Sequence, residues 1–259
     1  MPADPVIVSG SQSDDARLTM VPETDPLACW QDQLPPDGPT GPVSETSFIA
    51  RLPDQRRLLL PIRRLPDPPG RGLASLIINQ ASFAVENALC QALAARIAEH
   101  RPDIVVAVPT LGLIAGRGLA AALGHDRYVP LGTSRKFWYD EALSTDLSSI
   151  TSPDQSKRLY LDPRLLPLLT GRRIALVDDV TSSGRSLAAA LDLLARLDVE
   201  VTVIGTIMRQ TDAWRGRLAE IAPQVPEKVV GVFDTPLLRW VEGRWETVDG
   251  SHGSSTDGG

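Results

Sequence analysis

Apolar positions follow two regimes along this chain. From residue 83 onward they alternate between helical and strand periods; before it they are interrupted by proline. Val85, Leu89, Leu93 and Ile97 recur four apart, with Phe83, Cys90 and Ala94 beside them. This spacing predicts an amphipathic helix ending near Arg101-Pro102. Residues 104–108 are a continuous apolar run rich in β-branched side chains, the pattern of a strand buried on both faces. A short loop over 109–112 leads into an Ala/Leu/Gly-rich helix that ends near Gly124, and 127–131 reads as the next strand. After a polar stretch the alternation resumes, with strands over 173–177, 199–208 and 228–233 and helices over 187–197 and 213–221. Repeated strand–helix units imply an α/β fold, a mostly parallel β-sheet flanked by helices. Ligands of such sheets bind at the carboxyl ends of the strands. Segments 109–112, 178–184 and 208–214 are therefore the candidate site segments.

More than half of the 22 prolines lie before residue 70. Residues 1–45 combine Pro, Asp, Ser, Thr and Gly with few periodic apolar positions, and are expected to be a mostly irregular arm. Residues 46–250 form the main domain, with its core over about 75–235. Two apolar stretches between Ser47 and Ile62 flank Pro53-Asp54-Gln55, as in a small hairpin, and Pro66-Asp67-Pro68-Pro69-Gly70 is a clear break. A second hairpin is expected between Leu237 and Val248, around Arg239-Trp240 and Gly243-Arg244-Trp245. Residues 251–259 are Gly/Ser-rich and are expected to be a disordered tail. Residues 132–165 are polar and hold Arg135-Lys136, a Trp-Tyr pair and a Ser/Thr-rich run from Ser148 to Gln155. A segment of that length inside a compact domain is usually functional or mobile.

Composition narrows the picture only slightly. With 42% hydrophobic and 22% charged residues over 259, the chain is ordinary for a soluble protein with one sizeable core. A net charge of -6 gives no basic footprint for nucleic acid. Cys29 and Cys90 are too few for a disulfide framework and fit no metal-ligand spacing. Residues 1–8 lack a signal-peptide pattern, and no apolar run approaches the roughly 20 residues that span a bilayer. The expectation is a reduced, cytoplasmic protein without membrane contact.

The densest chemistry lies in Ile174-Ala175-Leu176-Val177-Asp178-Asp179-Val180-Thr181-Ser182-Ser183-Gly184-Arg185-Ser186. An apolar strand delivers two adjacent carboxylates, a Ser/Thr/Gly turn follows, and a helix begins. Successive backbone N–H groups of such a turn and helix N-terminus form an anion cradle. Gly184 permits close backbone approach or positive φ, and the hydroxyls of Ser182, Ser183 and Ser186 add donors. The carboxylates are too negative to hold a phosphate; they suit vicinal ribose hydroxyls or a metal-bound water. An acidic N-cap after a strand is common in any α/β protein, but the full string is far more specific than that.

Residues Val177 to Ser186 resemble the binding motif of type I phosphoribosyltransferases, nearest to the adenine and other purine members. The resemblance, over about 75–235, implies their fold, with a small hood and a flexible β-hairpin loop. It implies that Asp178 and Asp179 hold ribose hydroxyls of phosphoribosyl pyrophosphate, and that Thr181, Ser182, Ser183, Gly184, Arg185 and Ser186 hold its 5′-phosphate. Arg185 is a departure, standing where the family often has glycine. Pro109, Thr110, Leu111 and Gly112 look like the family's pyrophosphate loop. Arg135-Lys136 resembles the basic pair of adenine-type members, and residues 137–160 match the position of the hood-like loop, in which Lys157 and Arg158 are the cations. The base is expected near Met208 and Arg209, with Trp214 offering a flat face to a purine. The hood is expected from 46–65, from 236–248, or from both. The loop sequence Ser152-Pro153-Asp154-Gln155-Ser156-Lys157-Arg158 departs from a typical adenine enzyme.

The implied reaction is transfer of 5-phosphoribosyl to a purine-type base nitrogen with release of pyrophosphate, in nucleotide salvage. Mg²⁺ would be held mainly by the ligand's own oxygens, with Asp178 or Asp179 helping through water. Arg135, Lys136 and Lys157 would stabilise the leaving charge, so positioning and electrostatics carry the catalysis. The expected partners are phosphoribosyl pyrophosphate, a nucleobase and a second copy in a homodimer. The alternative is a non-catalytic sensor of the same ligand, as in purine repressors, although residues 1–75 show no helix-turn-helix pattern. A receiver-like domain is disfavoured because its acidic pair lies on the first strand, and a P-loop enzyme because no Gly-Lys-Ser/Thr follows a glycine-rich loop.

Overall fold

The chain builds an antiparallel sheet first and a parallel one second. The computed structural model describes residues 26–147 and 157–248. The first part of the expected arm, the Ser/Thr-rich run from Ser148 to Gln155, and the glycine-rich tail lie outside the described residues. The opening strands are β1 (Gln33–Leu34), β2 (Gly41–Pro42), β3 (Ser47–Arg51), β4 (Arg57–Arg64) and β5 (Arg71–Ala74). The alternating part follows, with α1 (Phe83–Ile97), β6 (Ile104–Ala107), α2 (Gly112–Ala122) and β7 (Val129–Pro130). A small hairpin, β8 (Ser144–Leu147) and β9 (Lys157–Tyr160), interrupts it. Then come β10 (Ile174–Thr181), α3 (Arg185–Arg196), β11 (Val201–Gln210), α4 (Ala213–Ala219) and β12 (Val229–Thr235), and the chain closes with β13 (Leu237–Val241) and β14 (Arg244–Thr247).

The parallel sheet has the order β12-β11-β10-β6-β7, with β10 at its centre. Each of its main strands feeds two cores. Val105, Ala175, Val177 and Val203 pack on one face with Leu89, Leu93 and Ile97 of α1. Ile104, Val106, Ile174, Leu176 and Ile204 pack on the other with Leu187, Leu191 and Leu194 of α3. This two-sided burial explains why the strands read as unbroken apolar runs. Helix α1 starts where Ser82 Oγ accepts the Val85 N–H at 3.2 Å, a side-chain N-cap.

The two expected hood segments belong to one sheet of order β14-β13-β5-β4-β3-β2. The link is β5, four residues directly after the proline-rich turn and too short to show a period. Residues 26–45, the described part of the expected mostly irregular arm, contribute two short strands to this sheet. Gln33 and Leu34 pair with Leu58 and Arg57, and Gly41 and Pro42 pair with Ile49 and Phe48. Trp30 is 4% exposed and donates its indole N–H to Ser75 O at 3.0 Å. The proline-rich turn between β1 and β2 has carbonyls that no ladder reaches. The buried guanidinium of Arg57 takes them, donating to the carbonyls of Pro35, Asp37 and Pro39. A side chain thus does here what strand pairing does elsewhere.

The described parts of the polar stretch, 132–147 and 157–165, hold local structure. Gly132 bridges to Tyr160, a 3₁₀ turn spans Glu141–Leu143, and the stem of the β8–β9 hairpin packs on α3. Thr145 Oγ1 donates to Asp192 Oδ2 at 2.9 Å, and Arg196 Nη2 to Ser144 O at 3.0 Å.

Candidate functional site

Strand β10 carries both acids inside its last four residues rather than just beyond its end. Asp178 and Asp179 are each 8% exposed, and the Asp179 N–H donates to Asp178 Oδ1 at 2.9 Å. Burial pushes both carboxyls above the usual range. Asp178 rises further, because the Asp179 charge beside it opposes a second ionisation. The backbone of Asp179 is fixed from β11, where Thr206 Oγ1 donates to Asp179 O at 3.2 Å.

Gly112, the first residue of α2, lies directly against this pair. A Cβ placed there would stand 2.7 Å from Asp178 Oδ1 and 3.0 Å from Asp178 Cα. Only glycine lets the loop after β6 approach β10 so closely. The peptide between Pro109 and Thr110 in that loop is cis. Pro109 and Leu111 are half-buried and Thr110 is exposed, so the loop sits at the surface beside the acids.

After Thr181 the chain turns through Ser182, Ser183 and Gly184 into α3. Gly184 has φ +73°, the left-handed region that glycine favours. A Cβ on it would meet Trp214 Cα and O at 3.2 Å, so helix α4 buttresses the turn from behind. Asp178, Val180, Thr181, Ser182, Ser183, Gly184, Arg185, Ser186 and Leu187 line a cleft of about 190 Å³. Its walls are hydroxyls, backbone N–H groups at a helix start and one carboxylate, a composition that suits a phosphorylated sugar.

The base-side expectations need correction. Trp214 is 1% exposed and donates its indole N–H to Thr211 O at 2.9 Å. It is core beneath the turn and offers no open face for stacking. Met208 is fully buried as well. Arg209 remains partly accessible, but its guanidinium is shared with a residue that the sequence did not single out. Asp234 of β12 accepts from Arg209 Nε at 2.5 Å and from Nη2 at 2.8 Å. The register Arg209↔Asp234 brings the two to the carboxyl end of adjacent strands, a juxtaposition invisible before the strand order is known. Beside them Gln210 Nε2 donates to Ala74 O at 2.7 Å, tying the parallel sheet to the antiparallel one.

Among the described residues, Arg135, Lys136 and Lys157 do not line the cleft beside Asp178. Arg135 pairs with Glu141 at 2.9 Å, Lys136 is exposed, and Lys157 begins β9 on the hairpin stem. Next to the basic pair, Phe137 and Trp138 are 96% and 46% exposed and meet edge to face at 4.8 Å.

Comparison with known proteins agrees with this geometry. A sequence model of the phosphoribosyl transferase domain matches residues 79–223. An adenine phosphoribosyltransferase from Rhodospirillum centenum is 26% identical over 155 residues, which are 57% of this chain and 83% of that protein. A hypoxanthine/guanine phosphoribosyltransferase from Methanosarcina acetivorans is 29% identical over 131 residues, covering 50% of this chain and 65% of that protein. The crystal structure of the Giardia lamblia adenine enzyme, complexed with 9-deazaadenine, superposes with a TM-score of 0.51 at 22% identity. That match covers 67% of this chain and 93% of the Giardia chain, and it supports the fold expected from the sequence. The match over more than half of the residues, with the acid pair and the Thr181–Ser186 turn inside it, means that the chain belongs to the phosphoribosyl transferase family and is a phosphoribosyl-transferring enzyme.

Proposed function

We propose that the enzyme transfers the 5-phosphoribosyl group of phosphoribosyl pyrophosphate to a ring nitrogen of a purine-type base, releasing pyrophosphate. The observation that carries this reading is the convergence of Asp178, Asp179, Gly112 and the Thr181–Ser186 turn around one cleft. In it the turn holds the 5′-phosphate and the acid pair takes the vicinal ribose hydroxyls. The loop Pro109, Thr110, Leu111 and Gly112 supplies backbone to the pyrophosphate. Positive charge builds at the anomeric carbon as pyrophosphate leaves, and no side chain stands out as a general base. Fixed positioning and electrostatic stabilisation therefore supply most of the rate. Arg135 and Lys136 lie on the segment that leads into the hairpin and Lys157 on its stem, from which they stabilise the leaving charge on closure.

Mg²⁺ fits this site. Burial suppresses ionisation of Asp178 and Asp179, the Asp179 charge adds to this at Asp178, and a divalent cation reverses that penalty. No group of three or more His, Cys, Asp and Glu that could hold a metal occurs among the described residues. The two carboxylates would meet the ion through water, with most ligands coming from the substrate. When bound, Mg²⁺ neutralises charge on the departing pyrophosphate.

Arg209 supports a finer reading of the base. A guanidinium only donates, and Asp234 fixes its plane. Were it to meet position 6 of the base, it would pair with the ring carbonyl of a 6-oxopurine and not with the amino group of adenine, whose acceptors are ring nitrogens. The test is pyrophosphate release from phosphoribosyl pyrophosphate with adenine, guanine, hypoxanthine, xanthine, uracil and orotate in turn. Faster release with the 6-oxopurines, abolished in Asp178→Asn and Asp179→Asn, is expected. Unchanged kinetics in both variants would overturn the site, and a preference for adenine would overturn the role of Arg209.

A further inference from the structure

We infer that the enzyme has a second nucleotide site, on the outer face of α2 and away from the catalytic cleft, which takes a nucleoside monophosphate. A cavity of about 600 Å³ lies between α2 and the loop that leads into β7, within the size range of small-ligand pockets. Arg117 of the helix lines it, as do His125, Asp126, Arg127 and Tyr128 of the loop. No residue of the acid pair or of the Thr181–Ser186 turn is among its walls. The loop precedes β7, which runs parallel to β6 and β10, so it stands toward the amino ends of these strands. The acid pair stands at the opposite, carboxyl end of β10.

The walls match the parts of a nucleoside monophosphate. Arg117 and Arg127 are exposed and make no ion pair among the described residues, in a chain of net charge -6. One unpaired surface arginine means little, but here two from different elements line the same cavity. Guanidinium forks suit phosphate oxygens, and two of them answer the nearly two negative charges of a phosphate monoester. Asp126 makes no ion pair either, and its carboxylate accepts what vicinal ribose hydroxyls donate. Ala120 and Ala121 supply a small apolar floor, and Tyr128, packed against the core, supplies a ring for a base. The end of α2 opposes an anion, because a helix C-terminus carries about −0.5 of a charge. That opposition is blunted, since the N–H groups of Leu123, Gly124 and His125 take the carbonyls of Leu119, Ala121 and Ala120. Two full guanidinium charges exceed what remains together with Asp126. The Nδ1 of His125 is buried without a partner among the described residues, so the ring has bonding capacity that the protein does not use and that a turn of the ring would offer to a ligand. Helix α2 joins this cavity to the catalytic cleft. It starts at Gly112, against Asp178, and is seated closely along its length: a Cβ at Gly116 would stand 2.4 Å from Ala107 Cβ, and one at Gly118 2.3 Å from Cys90 Sγ. A helix packed this tightly moves as a unit, so a ligand pulling on its C-terminal half shifts Gly112 against Asp178. The ligand class is read from the walls alone, whereas the coupling rests on the catalytic cleft proposed above.

The test is equilibrium dialysis of the full chain against GMP and, separately, AMP, with wild type, the double variant Arg117→Gln/Arg127→Gln and the double variant Asp178→Asn/Asp179→Asn. Wild type is expected to bind two nucleotides per chain. Arg117→Gln/Arg127→Gln should lose one of them, each guanidinium removed weakening the outer site about tenfold. Ribose 5-phosphate, which lacks the base, should bind that site more weakly than either nucleotide. Kinetics read the coupling: GMP should inhibit pyrophosphate release with a component not competitive with phosphoribosyl pyrophosphate, and Arg117→Gln/Arg127→Gln should abolish this component while its rate without GMP is unchanged. Nucleotide binding that Arg117→Gln/Arg127→Gln retains in full overturns the inference and leaves the cleft intact. Equal affinity for ribose 5-phosphate at the outer site overturns the nucleotide assignment, and purely competitive inhibition in wild type overturns the coupling through α2. A single nucleotide, lost in Arg117→Gln/Arg127→Gln and kept in Asp178→Asn/Asp179→Asn, upholds the outer site and overturns the reading of the cleft instead.

Discussion

Two glycines with almost the same φ allow the buttress behind the Thr181–Ser186 turn to be weighed. Gly184 has φ +73° and Gly124, just past α2, has φ +76°. An alanine at either position bears the left-handed penalty, about 1–2 kcal/mol. Only one of them bears more. A Cβ at Gly124 meets nothing within 4 Å, whereas at Gly184 it lies 3.2 Å from both Trp214 Cα and Trp214 O. Those atoms are backbone of α4, and Trp214 is pinned by its indole bond to Thr211 and by full burial. They cannot swing aside as a flexible side-chain end would. Overpacking of this kind adds about 1–3 kcal/mol. Gly184→Ala should therefore cost about 2–5 kcal/mol against about 1–2 for Gly124→Ala. For a chain of this size each kcal/mol moves the melting temperature by roughly 2–4 °C. Circular-dichroism melts of the two variants give the difference directly, and the KM for phosphoribosyl pyrophosphate should rise in Gly184→Ala alone. Equal melting temperatures for the two alanine variants would refute the claim that α4 sets the shape of the turn.

Two further outcomes follow from buried polar groups. Arg57→Ala strands the carbonyls of Pro35, Asp37 and Pro39 and should cost about 3 kcal/mol or more, read as a fall in the urea midpoint. For Asp178 the folded pKa lies well above the ordinary value of 3.8. Its contribution to stability is thus fully present below about pH 4 and is lost as the pH rises through the folded value. Asp178→Asn should accordingly melt above wild type at pH 7, with the gap closing toward pH 4. A gap that does not change with pH would show that the buried charge is not its cause.

What the sequence revealed, and what it hid, divides along physical lines. Long elements with a strong period were legible: α1 from Val85, Leu89, Leu93 and Ile97, and the central strands from their unbroken apolar runs. The acid pair and the turn after it were legible because strand, carboxylates, hydroxyls and glycine must follow one another in one order to make a cradle. Strand β5 was not, since the four residues Arg71–Ala74 are too few to show alternation, and one of their two partners, β13, is distant in sequence. The order in residues 26–45 was hidden for another reason. It depends on Arg57 and on Ser75, partners outside the segment itself.

Side-chain direction was the least legible feature of the site, and Trp214 shows why. A tryptophan near the carboxyl end of a strand fits a stacking platform and a core plug equally well on composition alone. The strand order and the Gly184 contact decide between them. Once α4 must support the turn from behind, its largest side chain has to fill the space beneath, and the ligand side is left to smaller polar groups. The same constraint brings Arg209 forward. With Met208 and Trp214 both buried, the polar side chain at the end of β11 that remains accessible is the one that Asp234 holds by two hydrogen bonds. On the proposed function, the aromatic contact expected for the base gives way to a donor of fixed orientation, and selectivity would come from matching hydrogen-bond donors with acceptors rather than from the area of a stacked ring.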